Sequence, residues 1–259
     1  MILDDIAEYT RERVAKLKDK KSLYAVRDEA EGRPDGKNFK AALAAKGLSV
    51  IAELKKASPS KGLIAADFAD IYLQKAIGYE AGGAAAISCL TEPKFFLGSD
   101  EYLKEVRKAV EIPILRKDFT IDEYQIYEAK NIGADAVLLI CSLLSVTQLQ
   151  EYLCQAYELG LSALVETHDA SEVEAALAVG ADIIGVNNRN LKDFSVNPLN
   201  SLRLRDIIPQ DKIFVAESGI QKASDTMGLK AAGVQAVLVG EALMRTPDVA
   251  QFIKEMRGE

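Results

Sequence analysis

A single histidine, His168, stands in the 259 residues. A histidine-rich metal centre is thereby excluded, and a Ser-His-Asp triad would have only that residue to use. Cysteine is scarce as well. Cys89, Cys141 and Cys154 are odd in number, unevenly spaced and without a C-x-x-C pair. That argues against a disulfide framework or a zinc site and fits a reduced, cytoplasmic setting. No run approaches ~18 uninterrupted apolar residues, so no membrane span and no membrane partner are expected. The opening stretch MILDDIAEYTRERV has acids near its start and no apolar core, unlike a secretory signal. Positive charge is in deficit, with 32 Lys and Arg against 39 Asp and Glu. A general nucleic-acid partner, which would want a basic face, is disfavoured. An anionic small molecule is not, because charges beyond about 8 Å are largely screened at physiological salt and a local basic cluster can govern one cleft. Low-complexity tracts are missing too, and the apolar content is that of an ordinary globular chain.

What is present is a period. AGGAAAISCL (81–90), GADAVLLICSLL (133–144), GADIIGV (180–186) and AGVQAVLVG (232–240) each place a small-residue turn before a short apolar run. Gly83, Gly133, Gly180 and Gly233 sit where helices end, since glycine accepts the left-handed conformation. The runs are apolar on both faces, as parallel strands covered by helices are. Four further strands are expected at 48–54, 112–119, 161–167 and 212–218. Between them lie helical patterns: Ile121, Tyr124 and Tyr127 step by three, and Ser171 with Glu174 reads as a capping box. Eight strand-helix units in a chain near the typical ~250 residues predict an α/β fold, a (β/α)8 TIM barrel. A doubly wound sheet would carry a G-x-G-x-x-G turn after its first strand, where Glu53-Leu54-Lys55 stands instead. Residues 1–259 are read as one barrel domain. Its first 47 residues form an N-terminal helical extension, either a lid over one barrel end or simple packing. Leu3, Ile6, Thr10, Val14 and Leu17 share one face of a first helix, GRPDG breaks the chain at 32–36, and 39–45 forms a second short helix.

Active residues of such barrels lie at the C-terminal ends of the strands. Those positions hold Glu53 and Lys55; Arg116, Lys117 and Asp118; Glu166; Asn187, Asn188 and Arg189; Glu217, Ser218 and Gly219; and Gly240 and Glu241. Taken alone, Lys55 reads as a snorkelling lysine with Glu53 as its partner, and Lys117-Asp118 as a surface pair. Glu166 is harder to set aside, because it follows Ala163-Leu164-Val165 and a carboxylate buried there without a partner would be costly. His168 reads as a loop or cap residue and the cysteines as packing. Ser218-Gly219 and Gly240-Glu241 leave backbone N–H groups at adjacent loop ends, which suits a phosphate. The Glu241 side chain would then have to face away while its amide faces in.

Seven stretches, IAELKKASPSKG, LTEPKFFLGS, LRKDF, LVETHD, GVNNRNL, AESGI and LVGEALM, run in order from residue 50 to residue 244. Together they resemble the indole-3-glycerol-phosphate synthase family of tryptophan biosynthesis. The resemblance implies a carboxy-lyase that closes the ring of 1-(2-carboxyphenylamino)-1-deoxyribulose 5-phosphate with loss of carbon dioxide and water. It implies no cofactor and no metal. By motif, Lys117 resembles the general acid at the substrate carbonyl, Glu166 the acid/base of dehydration, and Lys55 the second lysine. Glu53 and Asn187 would fix the sugar hydroxyl and the lysines. Ser58 and Arg189 would support the substrate's anionic end. Phe96, Phe119, Leu138 and Leu191 would line the anthranilate pocket, and Ser218, Gly219, Gly240 and Glu241 would cradle the phosphate. Departures from the family pattern are Glu241, where some relatives carry Ser or Thr, Leu97, and Asn197-Pro198.

These residue types suit that chemistry. The substrate carries a carboxylate and a phosphate, so the site must be locally cationic within an acidic chain, and Lys55, Lys117 and Arg189 can supply the charge. A lysine with an ordinary pKa near ~10.4 is a reluctant acid. The expectation is that a second ammonium and partial burial lower the Lys117 value. Alternatives on the same fold are a sugar-phosphate isomerase of the phosphoribosylanthranilate isomerase type and a non-catalytic phosphate-binding barrel. Resemblance to that isomerase family would imply a Cys base at the end of strand one and an Asp acid elsewhere; strand one here ends in Glu53-Leu54-Lys55, which disfavours it. The small anionic substrate is the one partner expected, and the chain is expected to be a monomer or weak dimer.

Overall fold

A computed structural model describes residues 2–191 and 193–259. Among the described residues, eight parallel strands close into a barrel. They are β1 (Ser49–Leu54), β2 (Ala86–Leu90), β3 (Ile114–Lys117), β4 (Ala136–Ile140), β5 (Ser162–Thr167), β6 (Ile183–Asn187), β7 (Ile213–Glu217) and β8 (Ala236–Val239). Each pairs with the next, and β8 returns to β1 through Ser49 opposite Ala236 and Ala52 opposite Val239. All eight expected strands are present but shorter than the apolar runs, because each run included the turn ahead of it. Gly83, Gly133, Gly180 and Gly233 occupy those turns at φ between +75° and +91°. The loop after β1 adds an unexpected small hairpin, Ala57–Ser58 with Gly62–Leu63.

Side chains alternate across each strand, and the alternation builds two cores. Val50, Ala52, Ile87, Ile114, Val137, Val165, Ile184, Phe214 and Val237 point outward under the helices. Ile51, Leu115, Leu138, Leu164, Ile183, Val215 and Leu238 fill the barrel. At ~1.5–3 kcal/mol for each large apolar side chain fully buried, these two layers are the main drive to fold.

The helices through the fifth strand-helix unit are α1 (Ile2–Lys20), α2 (Leu23–Glu31), α3 (Phe39–Leu43), α4 (Phe68–Ala81), α5 (Asp100–Ala109), α6 (Glu123–Asn131), α7 (Val146–Glu158) and α8 (Ala170–Ala178). The N-terminal extension works at both ends of the barrel. Helix α3 (Phe39–Leu43) starts at Asn38, whose side chain accepts from the Ala41 amide. Its Phe39 and Leu43 are fully buried in the inner core. Ser49 Oγ, at the start of β1, donates to the Leu43 carbonyl at 3.1 Å, so α3 closes the N-terminal end. Helix α1 (Ile2–Lys20) reaches the opposite rim. There Arg13 Nη2 donates to Asp118 at 2.7 and 2.9 Å, just past the end of β3. Tyr9 meets the Phe95 ring edge-on at 6.1 Å. Simple packing describes α3, whereas α1 edges the mouth.

Helix α8 (Ala170–Ala178) corrects one detail. The Ser171–Glu174 capping box is not formed. Asp169 caps the helix by accepting from the Glu172 amide at 3.0 Å, and Ser171 Oγ donates to Asp169 at 2.8 Å. The chain enters the helix two residues earlier, so Ser171 already lies in its first turn. No described helix is long and apolar enough to cross a membrane.

Candidate active site

The inner faces of five of the eight strands end in a polar group. Following alternation, Ile51 leads to Glu53, Leu115 to Lys117, Leu164 to Glu166, Ile183 and Gly185 to Asn187, and Val215 to Glu217. The register brings them level: Ile140 lies opposite Glu166, Glu166 opposite Gly185, and Asn187 opposite Glu217. They form the floor of a cavity of about 580 Å³ at the C-terminal mouth. Every residue to which the resemblance gives a role lines it: Glu53, Lys55, Ser58, Phe96, Lys117, Phe119, Leu138, Glu166, Asn187, Arg189, Leu191, Ser218, Gly219, Gly240 and Glu241; Arg116 and Asn188, also at strand ends, do not.

Lys117 is the hub. Its Nζ lies 3.3 Å from Glu166 Oε2 and 3.5 Å from Glu217 Oε2. Glu166 Oε1 accepts from Asn187 Nδ2 at 3.0 Å. Lys55 Nζ sits 2.7 Å from Glu53 Oε1, while Ser88 Oγ donates to Glu53 Oε2 at 3.4 Å. Burial alone would lower the Lys117 pKa, but Glu166, Glu217 and Glu53 overcome it and raise the value. This reverses the sequence expectation. The nearby ammonium of Lys55 is spent on Glu53, and carboxylates surround Lys117. Burial works to raise the pKa of Glu53, yet Lys55 and Lys117 bring it down. Glu166 is likewise lowered against its burial, by Lys117 and then by His168 and Asn187. Glu217 goes the other way: burial raises it, Lys117 opposes, and Glu166 and Glu53 add to the rise.

Two glycines make this crowding feasible. A Cβ on Gly185 would stand 2.2 Å from Glu217 Oε1. One on Gly240 would stand 2.4 Å from Glu53 Oε1 and 3.0 Å from Lys55 Nζ. Gly240, singled out for the phosphate, therefore also makes room for the lysine–glutamate pair.

At one wall Ser218 takes φ +65° and Gly219 φ +84°. A left-handed serine costs of order 1–3 kcal/mol, and such strain collects at functional sites. Asn188 pins the turn, with Nδ2 donating to the Ser218 carbonyl at 3.1 Å. The Glu241 carboxylate lies 3.7 Å from Lys61 Nζ and 3.1 Å from Arg245 Nε, so cations on the β1 loop and its own helix take it up. Elsewhere in the cavity, Phe96 and Phe119 pack with ring centroids 5.8 Å apart, beside Leu138 and Leu191. Ser58 Oγ is 3.4 Å from Ser60 Oγ, and Arg189 Nη1 donates to the Phe194 carbonyl at 3.1 Å.

The structure separates Lys117 from its charged neighbours. Lys117 and Asp118 are not a surface pair. Asp118 is buried, holds Arg13 and accepts from Thr91 Oγ1 at 2.7 Å. Arg116 points outward and is held by Asp100 at 3.0 Å and Glu128 at 2.7 Å. Sequence reasoning gave no role to Glu217, although the same alternation from Ile213 through Val215 points it inward. It also set His168 aside as a loop or cap residue. His168 Nε2 lies 3.4 Å from Glu166 Oε1, and Nδ1 lies 3.1 Å from Glu172 Oε2.

Residues 3–256 match the family model described as indole-3-glycerol phosphate synthase. The chain is 54% identical over 260 residues to the indole-3-glycerol phosphate synthase of Ruminiclostridium cellulolyticum, covering all of this chain and 99% of that one. It is 53% identical to the enzyme of the same name from Endomicrobium trichonymphae, covering 99% of this chain and all of that one. Among solved structures, 3-hexulose-6-phosphate synthase from Salmonella typhimurium superposes with a TM-score of 0.65 at 16% identity, over 82% of this chain and 97% of that one. That likeness is one of fold. The sequence matches span the barrel and the extension together, and the chain belongs to the indole-3-glycerol phosphate synthase family.

Proposed function

We propose that the mouth cavity carries out the family's reaction with Lys117 as proton donor and Glu166 as proton acceptor. As a member of this family the chain is a carboxy-lyase of tryptophan biosynthesis. It converts 1-(2-carboxyphenylamino)-1-deoxyribulose 5-phosphate to indole-3-glycerol phosphate, carbon dioxide and water. The observation that carries the residue assignment is the Lys117 ammonium on the cavity floor, 3.3 Å from Glu166.

The steps follow from the groups present. The ring carbon bearing the carboxylate attacks the ketone carbon, and Lys117 Nζ–H protonates the carbonyl oxygen as the C=O π bond breaks. The bond to the carboxylate then breaks, its electrons return to the ring, and carbon dioxide leaves. The new hydroxyl departs as water with a proton from a lysine ammonium, while Glu166 takes the ring or anilino proton. Two protons are given and one is taken back. Each turnover therefore draws one proton from solvent, as loss of a carboxylate as neutral carbon dioxide requires. The raised Lys117 pKa keeps that donor loaded at neutral pH. Glu53 holds Lys55, which meets the substrate's anionic groups, and Asn187 orients Glu166. Phe96, Phe119, Leu138 and Leu191 hold the anilino ring against the ribulose chain, and such positioning can be worth ~7–11 kcal/mol. Ser58 and Arg189 support the anionic end. The strained Ser218-Gly219 turn, with Gly240 and the Glu241 amide, receives the phosphate.

The purified protein should form the fluorescent indole product with no metal or nucleotide added. Folded protein that makes none would overturn the reading. We further propose a cytoplasmic location and a monomeric or weakly dimeric state, the latter checked by sedimentation of the purified protein.

A further inference from the structure

We propose that His168, anchored by Glu172, is a positioning residue that keeps the proton shared around Lys117 on Glu217 and off Glu166. The idea rests on Glu166 being the acceptor and adds what makes it one.

Two carboxylates flank Lys117 at nearly equal range, 3.3 Å for Glu166 and 3.5 Å for Glu217. One ammonium midway cannot tell them apart. Their other oxygens differ. Glu166 Oε1 has Asn187 Nδ2 at 3.0 Å and the His168 ring at 3.4 Å. Glu217 Oε1 is buried with no hydrogen-bond partner among the described residues; His168 Nε2 likewise makes no hydrogen bond and acts on Glu166 as a charge at ion-pair range. An ionised oxygen left bare in the interior is costly, whereas a protonated carboxyl asks less of its surroundings. The geometry thus sorts the pair.

The histidine is built to be a cation. Glu172 Oε2 receives both its backbone N–H, at 2.7 Å, and its Nδ1, at 3.1 Å. Nδ1 therefore carries a proton, and Nε2 faces Glu166. Burial would lower the His168 pKa, but Glu166 and Glu172 raise it to about 10. The other groups around it do not compete. The Asp169 carboxylate is engaged with the start of α8 and adds negative charge. The Cys141 thiol is pushed up to about 12, first by burial and then by Glu172 and Glu166, so it stays neutral. Asn200 Nδ2 donates to the His168 carbonyl, and Arg203 is engaged with Asn200 Oδ1. Arg189 shares the adjoining cavity of about 400 Å³ and donates to Phe194.

His168→Gln retains a hydrogen-bond donor and deletes the charge. An opposite charge at this range lowers a carboxylate pKa by about 1–3 units. The acidic limb of the kcat/KM–pH profile should therefore move up by about one unit or more in H168Q, and by less in Glu172→Gln. Carbon-13 NMR of glutamate-labelled, ligand-free protein should show one carboxyl titrating far above the usual range, absent in Glu217→Gln. In H168Q the raised titration should pass to Glu166. An unmoved acidic limb in folded H168Q would overturn the proposal. Should H168Q not fold, a raised wild-type titration that persists in E217Q would do so equally. Glu166→Gln separates the two claims. If it keeps full turnover, the acceptor assignment itself falls. If it loses turnover while H168Q leaves the profile untouched, only the sorting role falls.

Discussion

Arg116, Lys117 and Asp118 are three successive charged residues at and just past the end of β3, and they serve opposite ends. Arg116 and Asp118 face away from the barrel axis and are saturated. Arg116 has Asp100, Glu128, the Gln125 carbonyl at 3.0 Å and Thr91 Oγ1 at 3.2 Å. Asp118 has Arg13, Thr91 and the Phe119 amide at 2.8 Å. Lys117 faces the axis with two long contacts and an open cavity before it. A buried ion with every site filled has nothing left for a ligand; one with spare donors does. The functional residue is told from the structural ones by side-chain parity and unmet hydrogen-bonding capacity, not by residue type or burial.

The comparison breaks most visibly at its centre. Lys117→Ala should cut kcat by about 10²–10⁴, the usual worth of a positioned general acid, and because it strands the buried Glu166 and Glu217 carboxylates a loss of stability should accompany it. Arg116→Met should cost stability while sparing turnover. It strands Asp100 and Glu128 without their cation, and removing one partner of a buried network costs about 3–5 kcal/mol. Urea unfolding should show that loss, and the folded fraction should turn over far better than the Lys117 variant. An R116M protein of normal stability but no turnover would show that outward and inward charges are not distinct classes.

The same parity explains what could be read from the sequence. The eight strands were legible because parallel strands covered on both faces are short apolar runs, and the repeat glycines punctuate them. Their ends were not, since small and apolar residues such as Ala84-Ala85, Ile112-Pro113 and Cys141 continue the runs beyond the paired residues. Nor was the direction of any one charge: in Leu115-Arg116-Lys117-Asp118, alternation fixes two faces but not which is inner. Resemblance to a family chose Lys117 there, and Glu217 and His168, which it left unassigned, were passed over. The Lys117 pKa went wrong for a related reason. Lys55 lies near it, but that ammonium is matched to Glu53, and such pairing is a fact of three dimensions. The cap at Asp169 turned on where the chain enters the helix, which short polar residues on either side leave ambiguous.

A smaller effect should come from the glycine that lets the carboxylates crowd in. Gly185→Ala would drive a methyl to 2.2 Å from Glu217 Oε1, too close for any real contact. Glu217 must then swing away from Lys117, and displacement on the scale of an ångström can cost about 10² in rate. Turnover measured beside thermal unfolding will show whether the site or the barrel yields. An unaffected kcat would mean that Glu217 has no part in holding Lys117.

The mildest change tests whether α1 belongs to the structural half of the comparison. Arg13→Ala removes one cation from Asp118 but leaves Thr91 Oγ1 at 2.7 Å and Arg116 at 3.6 Å. The loss should be about 1–3 kcal/mol, below that of a stranded charge. Its pH dependence has a definite sign. Burial pushes the Asp118 pKa up, but Arg13 and Arg116 bring it below its ordinary value. The group therefore stabilises the fold fully above its unfolded pKa near ~3.9, and that contribution fades as pH falls through the lower folded value. Without Arg13 the folded value rises, so acid unfolding should begin at higher pH in R13A, and its stability should converge on wild type only once the pH lies below the wild-type folded value. If kcat also fell a hundredfold with binding intact, α1 would be part of the catalytic apparatus, acting on Lys117 through the residue beside it.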